Sequence, residues 1–174
     1  MSLRVLGALL TVLLAGCGLG APNAVLSPTP TLAPASISPV IALTRAEMER
    51  ALGAAGLQLG DAHVPFDPPA PPDFATAPRS VFQVVLSQDP NHGFVVVYQF
   101  RDQATAAAAG QQLAAYLGTG YGRAQFPPDA RHLIRQLGTT LISFSWSPAN
   151  SPDPGTGKIF DALATIGTPI DVPR

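Results

Sequence analysis

Between residues 41 and 174 the apolar positions switch several times between the 3.6-residue period of a half-buried helix and the two-residue period of a strand. Met48, Ala51, Leu52 and Ala55 fall at helical spacing. Thr44-Arg45-Ala46-Glu47 ahead of them fits a capping box, with Leu43 and Met48 placed as a hydrophobic staple, and Gly56 supplies a stop. This predicts a helix over about 45–55. Val81–Ser87 and Gly93–Phe100 read as strands, rich in β-branched and aromatic residues, with Asp89, Pro90, Asn91 and Gly93 supplying the turn between them. Phe94, Val96, Tyr98 and Phe100 share one face. Asp102 then caps a helix running to about Leu117. Its inward stripe is Ala106, Ala109, Gly110, Leu113, Tyr116 and Leu117, while Gln103, Gln111 and Gln112 face water. So many small residues on one side predict a helix lying close on a sheet.

A second round follows. Arg131–Leu137 and Thr140–Trp146 read as two strands around a turn at Gly138. Ile142, Phe144 and Trp146 share a face, and Ser143 and Ser145 take the other. Lys158–Ile166 reads as a closing helix with Ile159, Phe160, Leu163 and Ile166 inward, ended by Gly167. The order α-β-β-α-β-β-α is that of two αββ units and a closing helix. It predicts an α+β domain with one four-stranded antiparallel sheet and helices on one face. Two stretches interrupt the pattern. Residues 64–80 contain six prolines, which suit neither helix interiors nor central strands. They are expected to run over the surface, ordered by Phe66 and Phe74 docking on the domain. Residues 147–157, SPANSPDPGTG, read as a loop.

The first forty residues follow different rules. Arg4 precedes an apolar run from Val5 to Ala15, the form of a signal peptide. The run is shorter than the roughly 20 residues a membrane span requires. Leu14-Ala15-Gly16-Cys17 resembles the lipobox of bacterial lipoproteins processed by signal peptidase II. The resemblance implies that residues 1–16 are removed and that the Cys17 thiol carries a diacylglycerol. It further implies that the new amino group takes an acyl chain such as palmitate. Two or three chains give stable anchoring, because each buried methylene adds ~0.8 kcal/mol and one chain alone is marginal. In such lipoproteins of double-membrane bacteria an aspartate after the cysteine favours retention at the inner membrane. Gly18 stands there, which implies an outer-membrane location, or the cell surface where there is one membrane. Residues 18–40 hold five prolines and no charge, and cannot bury enough apolar surface to offset their chain entropy. With Cys17 they are expected to form a tether, reaching up to about 70 Å if extended at ~3.1 Å per residue. Residues 41–174 form a single domain. Lipobox, uncharged tether and an alanine-rich helix after a strand pair together resemble small envelope lipoproteins of unknown function. That likeness implies an architecture and no activity.

Composition narrows the chemistry. With Arg4 removed, nine basic residues face eleven acidic ones, a formal charge of −2. Binding to nucleic acid through bulk charge is therefore not expected. Cys17 is the only cysteine, so its acylation leaves no thiol for catalysis, metal binding or a disulfide. Neither Gly-x-Ser-x-Gly nor Ser-x-x-Lys occurs. Pro154-Gly155-Thr156-Gly157-Lys158 lacks the spacer and the hydroxyl residue of a phosphate loop. His63, His92 and His132 are scattered, and a metal site would need Asp61 and His63 to meet Asp89 and His92. Asp67, Asp73 and Asp153 lie in the two loops, where no helix or strand fixes a carboxylate pair. No metal and no cofactor are expected beyond the covalent diacylglycerol and acyl chain on Cys17. Arg123, Arg131 and Arg135, with Tyr121 and Phe126 near, form the best-defined candidate binding surface, a partly apolar, basic stripe. These features favour a non-enzymatic, membrane-anchored envelope module on the extracytoplasmic side that binds a protein or an envelope polymer. Carriage of a small apolar ligand, or a hydrolase built from the loop carboxylates and histidines, are the rival expectations.

Overall fold

The computed structural model describes residues 37–151 and 153–173. The expected leader, the lipobox-like segment with Cys17 and the expected tether through residue 36 lie outside the described residues. In chain order the elements are α1 (Pro39–Ala54), β1 (Leu59–Asp61), a 3-10 turn (Pro72–Thr76), β2 (Arg79–Val84), β3 (Phe94–Gln99) and α2 (Gln103–Gly118). There follow α3 (Gly120–Ala124), β4 (Arg131–Leu137), β5 (Thr140–Trp146), α4 (Pro154–Leu163) and β6 (Thr168–Ile170). Among the described residues no helix is long and apolar enough to cross a membrane.

The sheet has six strands, not the expected four, in the order β1-β2-β3-β5-β4-β6, with every pair antiparallel. The four central strands are those the alternation predicts. The two additions are three-residue edges, too short to show a period of their own. β1 joins through Leu59 opposite Val84, and β6 through Ile170 opposite Ile134. Pro169 lies within β6, where an edge strand tolerates a missing N–H.

Helices cover both faces of the sheet, which corrects the one-face expectation. Met48 and Leu52 of α1 and Ile159 and Leu163 of α4 share a core with Phe82, Val97 and Ile142. Leu113 and Leu117 of α2 pack on the opposite side with Val96, Tyr98, Ile134 and Leu141. The cause is in β3, which is apolar at every position from Phe94 to Tyr98 and so needs cover on both sides. The two αββ units are not related by a two-fold axis. β3 and β5 run antiparallel at the centre of the sheet. A two-fold between them would stand perpendicular to the sheet and place α1 and α2 on one face.

Two helix starts also differ from expectation. α1 begins six residues earlier than the spacing from Met48 suggests, at Ser38-Pro39. The Ser38 hydroxyl accepts from the Ile41 N–H, and Pro39 occupies the first turn, where no N–H is needed. Thr44 is therefore inside the helix. Its hydroxyl donates toward the Val40 carbonyl and meets Thr140 Oγ1 at 2.9 Å. Glu47 pairs with Arg50 instead of reaching back to a cap. α4 begins at Pro154, because Asp153 caps it by accepting from the Gly155 N–H at 2.7 Å. The segment expected to be loop thus supplies the first turn of α4. For α2, Asp102 is the cap as expected, accepting from the Thr105 N–H at 2.7 Å. Gly110 explains its close approach: a Cβ there would lie 2.2 Å from Ile170 Cδ1 and 3.2 Å from Leu141 Cδ2.

Candidate binding groove

α2 covers only the half of its face nearest Tyr98 and Leu141. The other half, floored by Phe94, Val96, Ser143 and Ser145, is open and forms a groove of about 360 Å³. Both side walls are proline-containing segments pinned by an aromatic ring. On one side Phe66 stacks on Phe94, with centroids 4.5 Å apart and planes 8° apart. Further along the same connector, Phe74 is fully buried, edge-on to Tyr98 and Phe100. Both docking contacts expected of residues 64–80 are thus present. On the other side Phe126 sits edge-on to His132 at 4.6 Å, and Pro127 follows it. The end wall is the loop after β5, which includes Asn150 and Ser151.

Three carboxylates hold that loop. Asp129 accepts from the Ser147 hydroxyl at 2.8 Å and the Ala149 N–H at 2.9 Å. These bonds set its pKa below the usual carboxylate range. Asp89 accepts from Ser151 Oγ and, at 2.6 Å, from His92 Nδ1. Burial alone would raise the Asp89 pKa, but the Ser151 and His92 bonds together outweigh it and bring the value down. Asp153 accepts from the Gln88 N–H as well as capping α4. Trp146 Nε1 donates to the Ser151 carbonyl at 3.3 Å.

Ser145 of the floor faces His132, which lines the neighbouring groove, across β5 and β4, and Oγ and Nδ1 lie 2.9 Å apart. Burial lowers the His132 pKa, so the imidazole is neutral at neutral pH. The pair differs from a catalytic triad, since among the described residues no carboxylate bonds the ring. In the Ser151–Asp89–His92 cluster the carboxylate, not the imidazole, is in the middle, so the serine has no base. That cluster is a loop clamp.

The predicted basic stripe is divided. Arg123, Phe126 and Arg131 line a second, broader groove of about 1100 Å³ beyond the Phe126–Pro127 ridge, and Asp129 and Asp171 line it with them. The Arg131 guanidinium lies 5.4 Å from the Trp146 ring centroid. Arg135 is not in that lining, because it donates to the Ile166 and Gly167 carbonyls at 2.6 and 2.8 Å, beyond the last turn of α4. Tyr121 is 77% exposed on α3 and also lies outside it. The remaining candidates have local partners: Asp61 with Arg45, Asp67 with Arg79, and Asp73 with Gln112. Among the described residues no three His, Cys, Asp or Glu side chains gather as a metal site. The groove floor was partly visible in the sequence, since Ser143 and Ser145 share a strand face. Its union with Phe94 depends on the β3–β5 register, which alternation alone does not give.

A scan against protein-family models found no match, and comparisons with curated proteins and with solved structures found none either.

Proposed function

We propose that this protein is a lipid-anchored, non-enzymatic binding module of the bacterial envelope, attached through Cys17 and acting through the groove over Ser143 and Ser145. The lipobox-like Leu14-Ala15-Gly16-Cys17 and the uncharged stretch behind it support the anchor. The observation that carries the binding role is the open half-face of an otherwise doubly covered sheet, walled by two proline-containing segments. A flat exposed patch would favour a protein or polymer partner. A recess between aromatic walls favours a ligand that seats inside it. The chain joins the domain at Ser38, which bonds Gln99 at one end of β3, whereas Phe94 of the groove is at the other. The two are separated by roughly 17 Å at ~3.4 Å per residue, so the start of α1 lies away from the groove.

Asn150→Cys tests the location. Asn150 is exposed at the groove rim. A membrane-impermeant maleimide should label this variant before the cytoplasmic membrane is breached, after permeabilising an outer membrane where one exists. The parent chain should stay unlabelled because its only thiol is acylated. Labelling of the variant only after lysis would reject an envelope location.

A further inference from the structure

We propose that the groove binds a small uncharged molecule with an apolar ring or short chain and hydrogen-bonding groups at its two ends. This rests on the binding-module reading and names the ligand class for it. Four observations converge. The volume, about 360 Å³, is within the range of small-molecule sites. Phe66, Phe126 and Pro127 of the walls and Phe94 and Val96 of the floor present rings and methyls, which favour an apolar body.

The charges at the rim are already used inside the protein. Asp67 is bonded to Arg79 at 2.8 Å, and His92 to Asp89 at 2.6 Å. Arg123 and Arg131 lie beyond the Phe126–Pro127 ridge in the neighbouring groove, which Asp129 and Asp171 share. An ion seated on the floor would lose water and meet no counter-charge. Finally, the floor itself offers neutral hydroxyls. Ser143 and Ser145 are two residues apart on β5, so their side chains leave one face about 7 Å apart. That spacing suits polar atoms on opposite sides of a ring. Ser145 is oriented by the neutral His132, which fixes one of the two polar contacts.

Trp146 is the only tryptophan of the chain; its ring packs on the opposite face of β5 with the α1 and α4 core while its backbone borders the groove, so a bound probe lies within energy-transfer range of it. The full chain, purified as the cell makes it, is titrated with N-phenyl-1-naphthylamine and separately with 8-anilino-1-naphthalenesulfonate. The two probes share a ring system and differ in charge. The expected result is saturable energy transfer from Trp146 to the neutral probe, at one site per chain, with an affinity at least about tenfold above that for the sulfonate. Ser143→Phe fills the floor and should abolish the transfer while thermal unfolding is unchanged. Asn150→Arg changes only the exposed rim and should narrow the preference for the neutral probe. No saturable transfer, equal or tighter binding of the sulfonate to the parent chain, or unchanged binding by a folded Ser143→Phe would each overturn the proposal. Failure of the anchor reading would appear separately, as an unacylated or cytoplasmic chain that still binds the neutral probe.

Discussion

Gly167 has almost no room. It joins α4 to β6 with φ at +59°, and a Cβ on it would lie 2.3 Å from the Gln136 carbonyl oxygen. Gly138, in the β4–β5 turn, has nearly the same φ of +58° but nothing within 4 Å of its missing Cβ. Alanine at Gly138 meets backbone strain alone and should cost about 1 kcal/mol. At Gly167 the clash with fixed backbone adds to the strain, so Gly167→Ala should cost about 2–3 kcal/mol. Urea unfolding of the two variants checks this, and equal losses would contradict the geometry. Gly138 was legible as a strand turn and Gly167 as a helix stop from the sequence. Arg135 was not legible as a capping residue, because its partners, the Ile166 and Gly167 carbonyls, are thirty residues away in sequence. Nor was Thr44. In one dimension a threonine three residues before a glutamate looks like a helix start. In the fold its hydroxyl points at Thr140 on β5.

At the scale of elements, the loop after β5 depends on ionised carboxylates. Asp129 and Asp89 hold it through Ser147, Ala149 and Ser151, and both have pKa values below the usual carboxylate range. A depressed folded-state pKa gives stabilisation that is complete above the unfolded value and is lost as pH falls through the folded value. The loop should therefore remain closed at neutral pH and loosen below about pH 4. His132 acts in the same direction, since its burial as the neutral form becomes costly once the unfolded chain binds a proton, below about pH 6.5. The Ala149 amide, bonded to Asp129, is the reporter: its hydrogen-exchange protection, corrected for intrinsic rate, should fall between pH 5 and 2. Protection that stays constant over that range would show that the carboxylate does not hold the loop. The four central strands were legible to within two or three residues, whereas the starts of α1 and α4 were not. β4 and β5 fall at the expected limits on either side of the turn at Gly138. β1 and β6 exist only through their neighbours' free edges, and no local pattern encodes them.

At the scale of the whole molecule, the position of α2 determines which part of the sheet face stays open. Because β3 is apolar on both sides, helices divide between the two faces, and α2, the long helix of its side, leaves half of that face open. An arrangement with every helix on one face would have left a different surface bare. The continuous run Phe94-Val95-Val96-Val97-Tyr98 held the signal for a doubly covered strand. Reading it as a one-sided amphipathic strand hid the groove. The docking of Phe66 and Phe74 was legible, because aromatic residues in a proline-rich connector have little reason to stay in water. The role proposed for the whole molecule depends on Cys17. Without acylation the proposed binding module would be free, and the long uncharged stretch behind the cysteine would have no anchor to space. The most direct measurement compares the parent chain with Cys17→Ala, both expressed at full length in a bacterial host, by intact mass and detergent-phase partitioning. The parent should lack residues 1–16, carry the added mass of a diacylglycerol with or without one further acyl chain, and enter the detergent phase. Cys17→Ala should carry no lipid and stay in the aqueous phase. A parent chain of unmodified mass, cut elsewhere and left in the aqueous phase, would contradict the anchored module.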